Sequence, residues 1–336
     1  MRTHPILSAV PRVAPHPASE DERWLDRLSH DPQVERRTLV ANLLATPASI
    51  EPKYFYDALG CALFGAICEL PEYYPTRTER AIFEANRAEI ASVLGRGKTL
   101  VDLGAGDCAK AAGWLPWLTP ARYVAVDIST DATAPALDRL AAAFPEIEVR
   151  GIVTDFSRGI ELKRDLAEGP FTFFFPGSSI GNFSRDFALS LLTDIARHCR
   201  GHPGSGLMIG VDTPKDPARL IAAYADALGV TAAFNRNILN HVNHALGTDF
   251  LAEAFVHVAH YDAERQRIEM YLEATRPQTV RIDGIARRFD AGERIHTENS
   301  HKFTPEQFSA MLERAGFRHV RVWQDAARDF AVYCAT

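Results

Sequence analysis

Three carboxylates and a pair of glycines carry the first chemical signal. In "TLVDLGAGDCAK", Gly104 and Gly106 directly follow a predicted strand and precede a predicted helix. Glycines there let a ligand come close to the backbone, and a helix N-terminus favours its polar groups. As G-x-G-x-x-A, through Ala109, the stretch also fits the dinucleotide fingerprint loosely. Asp102 stands within the strand, where it can receive an ammonium. Asp127 ends the next strand, "RYVAVD", where a carboxylate can accept both hydroxyls of a ribose. Asp155 and Phe156, in "VTDF", end a third and suit an amino group and the face of an adenine ring. No arginine cluster or second glycine-rich loop is placed to take a pyrophosphate. The set therefore reads as an S-adenosylmethionine site and not a nicotinamide site. Taken singly, Asp102 can be a solvent-facing strand end and Asp155 a helix cap. Carboxylates at three successive strand ends fit a ligand site, because open α/β sheets bind ligands at that edge.

The elements that position these groups alternate. "TLVDL", "RYVAVD", "EVRGIV", "FTFFF" and "GLMIGVD" read as strands, with helical periodicity between them, which predicts a parallel, doubly wound Rossmann-like α/β sheet. Before it, a Ser19-x-x-Glu22 capping box predicts a helix carrying Trp24, Leu25 and Leu28. A second helix is expected from Pro32 to about Leu44, a short one in "DALGCALFGAICEL", and a long one in "PTRTERAIFEANRAEIASVLG". After Asp212 the alternation stops. Residues 216–247 read as helical, "AEAFVHVAHYD", "QRIEMYLEA" and "QTVRID" as successive antiparallel strands, and a helix from Thr304 and two strands close the chain. We expect a flexible arm at 1–18, a class I methyltransferase domain at 77–213 with 302–336, and an α+β substrate-binding domain at 19–76 with 214–301.

The totals narrow the class. A chain of 336 residues has room for about two domains, and a net charge of −6 does not favour a nucleic-acid or anionic-membrane partner. No apolar run is long enough to span a bilayer. Five scattered cysteines form no C-x-x-C pair and suit reduced thiols in a cytoplasmic protein, here expected to be a monomer. His241-x-x-His244 and His257-x-x-His260 lack an obvious third ligand, so no metal is expected.

"LPEYYPTRTE", residues 70–79, sets two tyrosines between two prolines. Pro75 is expected to hold Tyr74 outside the helical region, leaving an extended turn that displays phenols. With "PKYFYDALGCALFGAICELPEYYPTRTE", "DLGAGDCAK", "VTDF", "FFPGSSIGNF" and "HTENSHKF", the chain from about residue 40 onward resembles the histidine-specific Nα-methyltransferases of ergothioneine biosynthesis. The resemblance implies conversion of L-histidine to Nα,Nα,Nα-trimethylhistidine. It implies a cofactor site of Tyr56, Gly104, Lys110, Asp127, Asp155 and Phe156, to which the strand-end reading adds Asp102 and Gly106. For the substrate it implies Phe64, Tyr73, Asn182, Tyr224, Met270, Glu298 and Ser300. Ala111 and Ala105 replace a usual Thr and a common Ser of the family's loop.

The chemistry suits these assignments. An amine attacks a sulfonium methyl as a neutral nitrogen aligned opposite the leaving sulfur. The uncharged amide of Asn182 can orient it without holding it protonated, and Asn182 and Tyr56 are the candidate catalytic residues. "SSIGNF" is not the Asn/Asp-Pro-Pro-aromatic motif of enzymes that methylate nucleic-acid amines. Tyr224 suits a carboxylate. Glu298 and Ser300, two apart on a predicted strand, point to one face and can meet the two ring nitrogens of an imidazole, with Tyr73 completing the set. Tyr74 is expected to pack inward. The alternatives are the same reaction on another aromatic amino acid, or a catalytically silent protein that only binds the cofactor.

Overall fold

The computed structural model describes residues 24–26, 32–155, 166 and 169–336. The expected arm, the Ser19–Glu22 capping box, Leu28 and Phe156 lie outside them. Before the sheet proper come β1 (Trp24–Asp26), α1 (Pro32–Leu44), the two-residue β2 (Ala48–Ser49), a 3₁₀ turn (Pro52–Phe55), α2 (Ala58–Cys68) and α3 (Tyr74–Leu94). Trp24 and Leu25, expected on a helix, instead form an edge strand parallel to residues 151–153. The Trp24 ring lies over Gly151, where a Cβ would stand 2.4 Å from it, so tertiary packing overrides the local periodicity. α3 starts at Tyr74, which corrects the expectation of an extended Tyr74. Pro75 is tolerated in the first turn because its missing N–H has no intrahelical partner there.

The alternating region follows as β3 (Thr99–Leu103), α4 (Ala109–Ala112), α5 (Leu115–Leu118), β4 (Arg122–Asp127), α6 (Thr130–Ala143), β5 (Glu148–Val153), β6 (Phe171–Phe175), a 3₁₀ turn (Ser179–Asn182), α7 (Arg185–Gly201) and β7 (Gly206–Asp212). The helix expected after the glycine loop is two single turns, with Pro116 in the second. The rest of the chain is α8 (Pro217–Tyr224), α9 (Val230–Leu246), β8 (Phe255–Asp262), β9 (Arg267–Ala274), β10 (Gln278–Ile282), β11 (Ile285–Phe289), β12 (Arg294–His301), α10 (Pro305–Ala315), β13 (Val320–Gln324) and β14 (Phe330–Ala335).

Among the described residues, eight strands form one sheet in the order β1-β5-β4-β3-β6-β7-β14-β13. All neighbours pair in parallel except that β14 runs antiparallel to both β7 and β13. β3, β6 and β7 are buried along their whole lengths, as central strands covered on both faces must be. One face packs Val101, Phe173 and Ile209 against α7 and α10; the other packs Leu100, Phe174 and Met208 against α3. The order reverses between β3 and β6, so the loops leaving those strands diverge and open a crevice at their C-terminal ends.

A separate four-stranded sheet, β2-β12-β9-β8, gathers a third core with α1, α2, α8 and α9. β10 does not continue it as expected but turns back on β11 as a hairpin. β12 carries an irregularity between His296 and Glu298, after which Glu298 faces Met270 across the ladder.

Candidate active site

The glycine loop after β3 is built for a ligand. Gly104 and Gly106 take φ of +70° and +53°, values that favour glycine, and nothing lies within 4 Å of where a Gly106 Cβ would be. The Gly106 N–H donates to Asp127 Oδ2 and the Ser129 N–H to Oδ1, both at 2.8 Å. Each oxygen keeps a lone pair. Burial pushes the Asp127 carboxyl up, against the pull of these N–H groups. Asp102 is buried beneath the loop and accepts the Tyr123 hydroxyl at 2.7 Å; burial, opposed by that bond, raises its pKa to about 7.

Two expected cofactor residues are already engaged. Lys110 Nζ pairs with Glu79 Oε2 at 2.7 Å, while Glu79 Oε1 accepts the Gly177 N–H at 2.7 Å. Glu79, buried and in the last position of "LPEYYPTRTE", thus ties α3 to α4 and to the loop after β6. Asp155 is buried and pairs with Lys53 Nζ at 3.1 Å, and Lys53 also reaches Glu35. Neither Glu79 nor Lys53 was singled out from the sequence, because Lys110 lies 31 residues from Glu79, and Glu35 and Asp155 lie 18 and 102 residues from Lys53.

The substrate candidates converge. Tyr56 and Phe64 meet edge to face at 6.0 Å, Phe64 meets Tyr73 at 6.4 Å, and Tyr73 meets Tyr224 at 6.2 Å. Phe234, on α9, stands 6.0 Å from both Tyr56 and Phe64 and completes the ring cluster; nothing in the helical pattern distinguished it. Tyr224 Oη donates to Ser300 Oγ at 2.8 Å. Glu298 is buried, and no described group hydrogen-bonds its carboxylate. Burial raises its pKa to about 7, with Lys302 pulling the other way. Burial also raises the phenols of Tyr56, Tyr73 and Tyr224, and the Glu298 charge adds to the rise in all three. They stay neutral donors at physiological pH. Asp127 adds to the rise at Tyr56, so the charges of both the glycine-loop carboxylate and Glu298 act on that phenol.

Asn182 ends its 3₁₀ turn, and its amide has no partner among the described residues. The turn lies on β12: a Cβ on Gly181 would sit 2.6 Å from the His301 carbonyl oxygen. This brings Asn182 to the strand that carries Glu298 and Ser300. Tyr74 packs inward as expected, its hydroxyl donating to Asp212 Oδ2 at 2.7 Å. Behind the pocket, Asp212 also pairs with Lys215 at 2.6 Å and Lys302 at 2.7 Å. His257 is held by Asn235 and the Tyr224 carbonyl, and His241 by the Tyr54 carbonyl. Among the described residues no group of three His, Cys, Asp or Glu is placed to hold a metal ion.

Seven strands in the order β5-β4-β3-β6-β7-β14-β13, with a glycine loop and carboxylates at the ends of β3 and β4, define a class I S-adenosylmethionine-dependent methyltransferase. More narrowly, the chain belongs to the S-adenosylmethionine-dependent histidine-specific methyltransferases, whose family model matches residues 35–336. It is 41% identical over 309 residues to the histidine N-alpha-methyltransferase of Mycolicibacterium smegmatis, covering 89% of this chain and 94% of that one. It is likewise 41% identical over 310 residues to the enzyme of the same name from Mycobacterium tuberculosis, with the same coverage. Ergothioneine biosynthesis protein 1 of Neurospora crassa is 29% identical over 293 residues, which span 82% of this chain and 32% of that longer protein. No helix among the described residues is long and apolar enough to cross a membrane.

Proposed function

We propose that this protein methylates the α-amino nitrogen of L-histidine three times, giving Nα,Nα,Nα-trimethyl-L-histidine for ergothioneine biosynthesis, as a cytoplasmic monomer with residues 32–76 and 214–301 forming the substrate domain; Trp24–Asp26, expected there, pair instead with the methyltransferase sheet. The observation that carries it is Glu298: a buried carboxylate without a described partner, among the neutral phenols of Tyr56, Tyr73 and Tyr224 and beside the Ser300 hydroxyl. A carboxylate on one side and a hydroxyl on the other match a ring that bears one N–H and one bare nitrogen.

The residues at the glycine loop fit the cofactor. Asp127 has lone pairs for two ribose hydroxyls, the open side of Gly106 admits close approach, and Asp102 supplies a second carboxylate, held by the Tyr123 hydroxyl, to answer an ammonium. When bound, S-adenosylmethionine supplies a methyl group on a positively charged sulfur. The chain's own residues do the orienting. Asn182 offers an uncharged amide that directs the amine without stabilising its protonated form. Tyr56, kept protonated by burial, donates and accepts but cannot serve as a base near neutral pH. The amine therefore arrives already deprotonated, and turnover is expected to rise with pH through its titration.

The test is incubation with labelled cofactor and each of the twenty amino acids, read by mass spectrometry. Histidine should gain one, two and three methyl groups on one nitrogen, and Asn182→Ala should lower turnover about tenfold or more through lost orientation. Methylation of a ring nitrogen, or of another amino acid in preference, would overturn the proposal.

A further inference from the structure

Lys302 is fully buried and has no role in the mechanism above. Its ammonium reaches three acceptors: Asp212 Oδ2 at 2.7 Å, Ser300 Oγ at 2.9 Å and Tyr224 Oη at 3.0 Å. An ammonium has three protons and no lone pair, so its capacity is filled. Ser300 Oγ accepts from Lys302 and from Tyr224, which occupies both of its lone pairs. What remains on Ser300 is its O–H.

Charge balance with Asp212 and Glu298 accounts for the lysine's charge but not for where its other two protons point. Asp212 already has Lys215 at 2.6 Å and the Tyr74 hydroxyl at 2.7 Å. The two other protons of Lys302 go to the two hydroxyls that line the substrate pocket. We propose that Lys302 is a positioning residue that, with Tyr224, fixes the Ser300 hydroxyl as a donor, so that the pocket selects an amino acid presenting a bare ring nitrogen to it. The inference rests on the histidine reading and deepens it. On substrate binding the Tyr224–Ser300 bond is kept, so both lone pairs of Ser300 stay taken and only its O–H faces the ligand. Glu298, two residues along β12, can only accept when ionised. Together they demand one ring N–H and one lone pair, which is the neutral imidazole. An imidazolium, with two N–H groups, meets the Ser300 hydroxyl donor to donor.

The experiment measures binding and not turnover. Calorimetry is run on wild type and Lys302→Met with the cofactor site filled by S-adenosylhomocysteine. The ligands are L-histidine and the alanines bearing pyrrol-2-yl and pyrrol-3-yl, which keep a ring N–H and lack the acceptor nitrogen. Wild type should bind histidine on the order of 100-fold tighter than either pyrrole, because a pyrrole leaves the Ser300 O–H buried and unpaired. In Lys302→Met, Ser300 is free to turn its proton to Tyr224, so the ratio should shrink to under about tenfold. Wild type that binds histidine, with a variant that weakens all three ligands equally or changes nothing, overturns the role of Lys302 and leaves the histidine reading standing. Wild type that binds no histidine overturns that reading itself. If Lys302→Met fails a thermal melt, Lys302→Gln replaces it, since its amide has two N–H groups for three acceptors. Its ratio should lie below that of wild type, and a ratio equal to wild type overturns the proposal.

Discussion

The two ends of the active site are made of different material. At the tips of β3 and β4 the ligand meets backbone: glycines at positive φ, and a carboxylate whose orientation is fixed by the N–H groups of Gly106 and Ser129. In the pocket between β12, α8 and the turn before α3, it meets side chains. These come from distant parts of the chain and lie against a buried set of two lysines and a carboxylate, Lys215, Lys302 and Asp212. The backbone end works through shape, and a single side chain there contributes a local contact. The side-chain end works through balance, because removing one partner leaves another buried and unsatisfied. The first should therefore respond to mutation in affinity alone, the second in specificity and pH dependence.

The sharpest way to break this contrast is Glu298→Ala. Loss of its carboxylate should lower kcat/KM for histidine by about 2–3 kcal/mol, on the order of 100-fold. With Met270→Val added, tryptophan should hold or rise, so that the two specificities cross in a competition assay. Equal losses for both substrates would remove the pocket from the account. At the other end, Asp127→Ala should weaken S-adenosylhomocysteine by about 2 kcal/mol, roughly 30-fold by calorimetry, without altering which amino acid is preferred. A change of preference there would erase the distinction between the two ends.

A smaller effect sharpens it. The Glu298 carboxyl rises from an ordinary 4.5 to about 7 in the folded protein, so the folded state binds the extra proton between those values. Its contribution to stability is present below pH 4.5 and is lost as pH rises through about 7. Glu298→Gln should escape that loss and stabilise the free enzyme by about 1–2 kcal/mol at pH 8 over wild type, with no gain at pH 4, read by urea denaturation. The cost of keeping this carboxylate is then a cost of function. The smallest effect lies outside both ends. Asp57 caps α2 through the Gly60 N–H at 2.7 Å and accepts the Asn237 amide at 2.8 Å. Asp57→Ala should cost about 1 kcal/mol in a thermal melt and leave cofactor affinity unchanged.

Much of the framework was legible in the order of residues. The five strands from Thr99 to Asp212 follow from apolar runs between helical stretches, and Gly95, at φ +76°, ends α3 where a glycine C-cap is expected. Asp102, Gly104, Gly106 and Asp127 could be picked out as candidates because a ligand crevice at strand ends is a local consequence of topology. Trp24 and Leu25 misled, since three residues paired at a sheet edge carry no periodicity of their own. The partners of Lys53, Glu79, Asp212 and Lys302 were invisible for a different reason. A buried charge is stable only beside its counter-charge, and Lys110 reaches Glu79 from 31 residues away and Asp155 reaches Lys53 from 102, while Lys302 comes to Asp212 from the far end of the chain.

Sequence alone determined the α/β architecture and, through family resemblance, named the candidate residues for the cofactor and the substrate. Only the tertiary structure decided which of them stand free and which are bound: Glu298 without a described partner, Lys110 held by Glu79, and Ser300 with both lone pairs taken by Lys302 and Tyr224. The physical reason is reach. Backbone patterns are set by neighbours a few residues apart, whereas the donor or acceptor state of a hydroxyl is set by whatever atoms the folded chain brings within 3 Å of it.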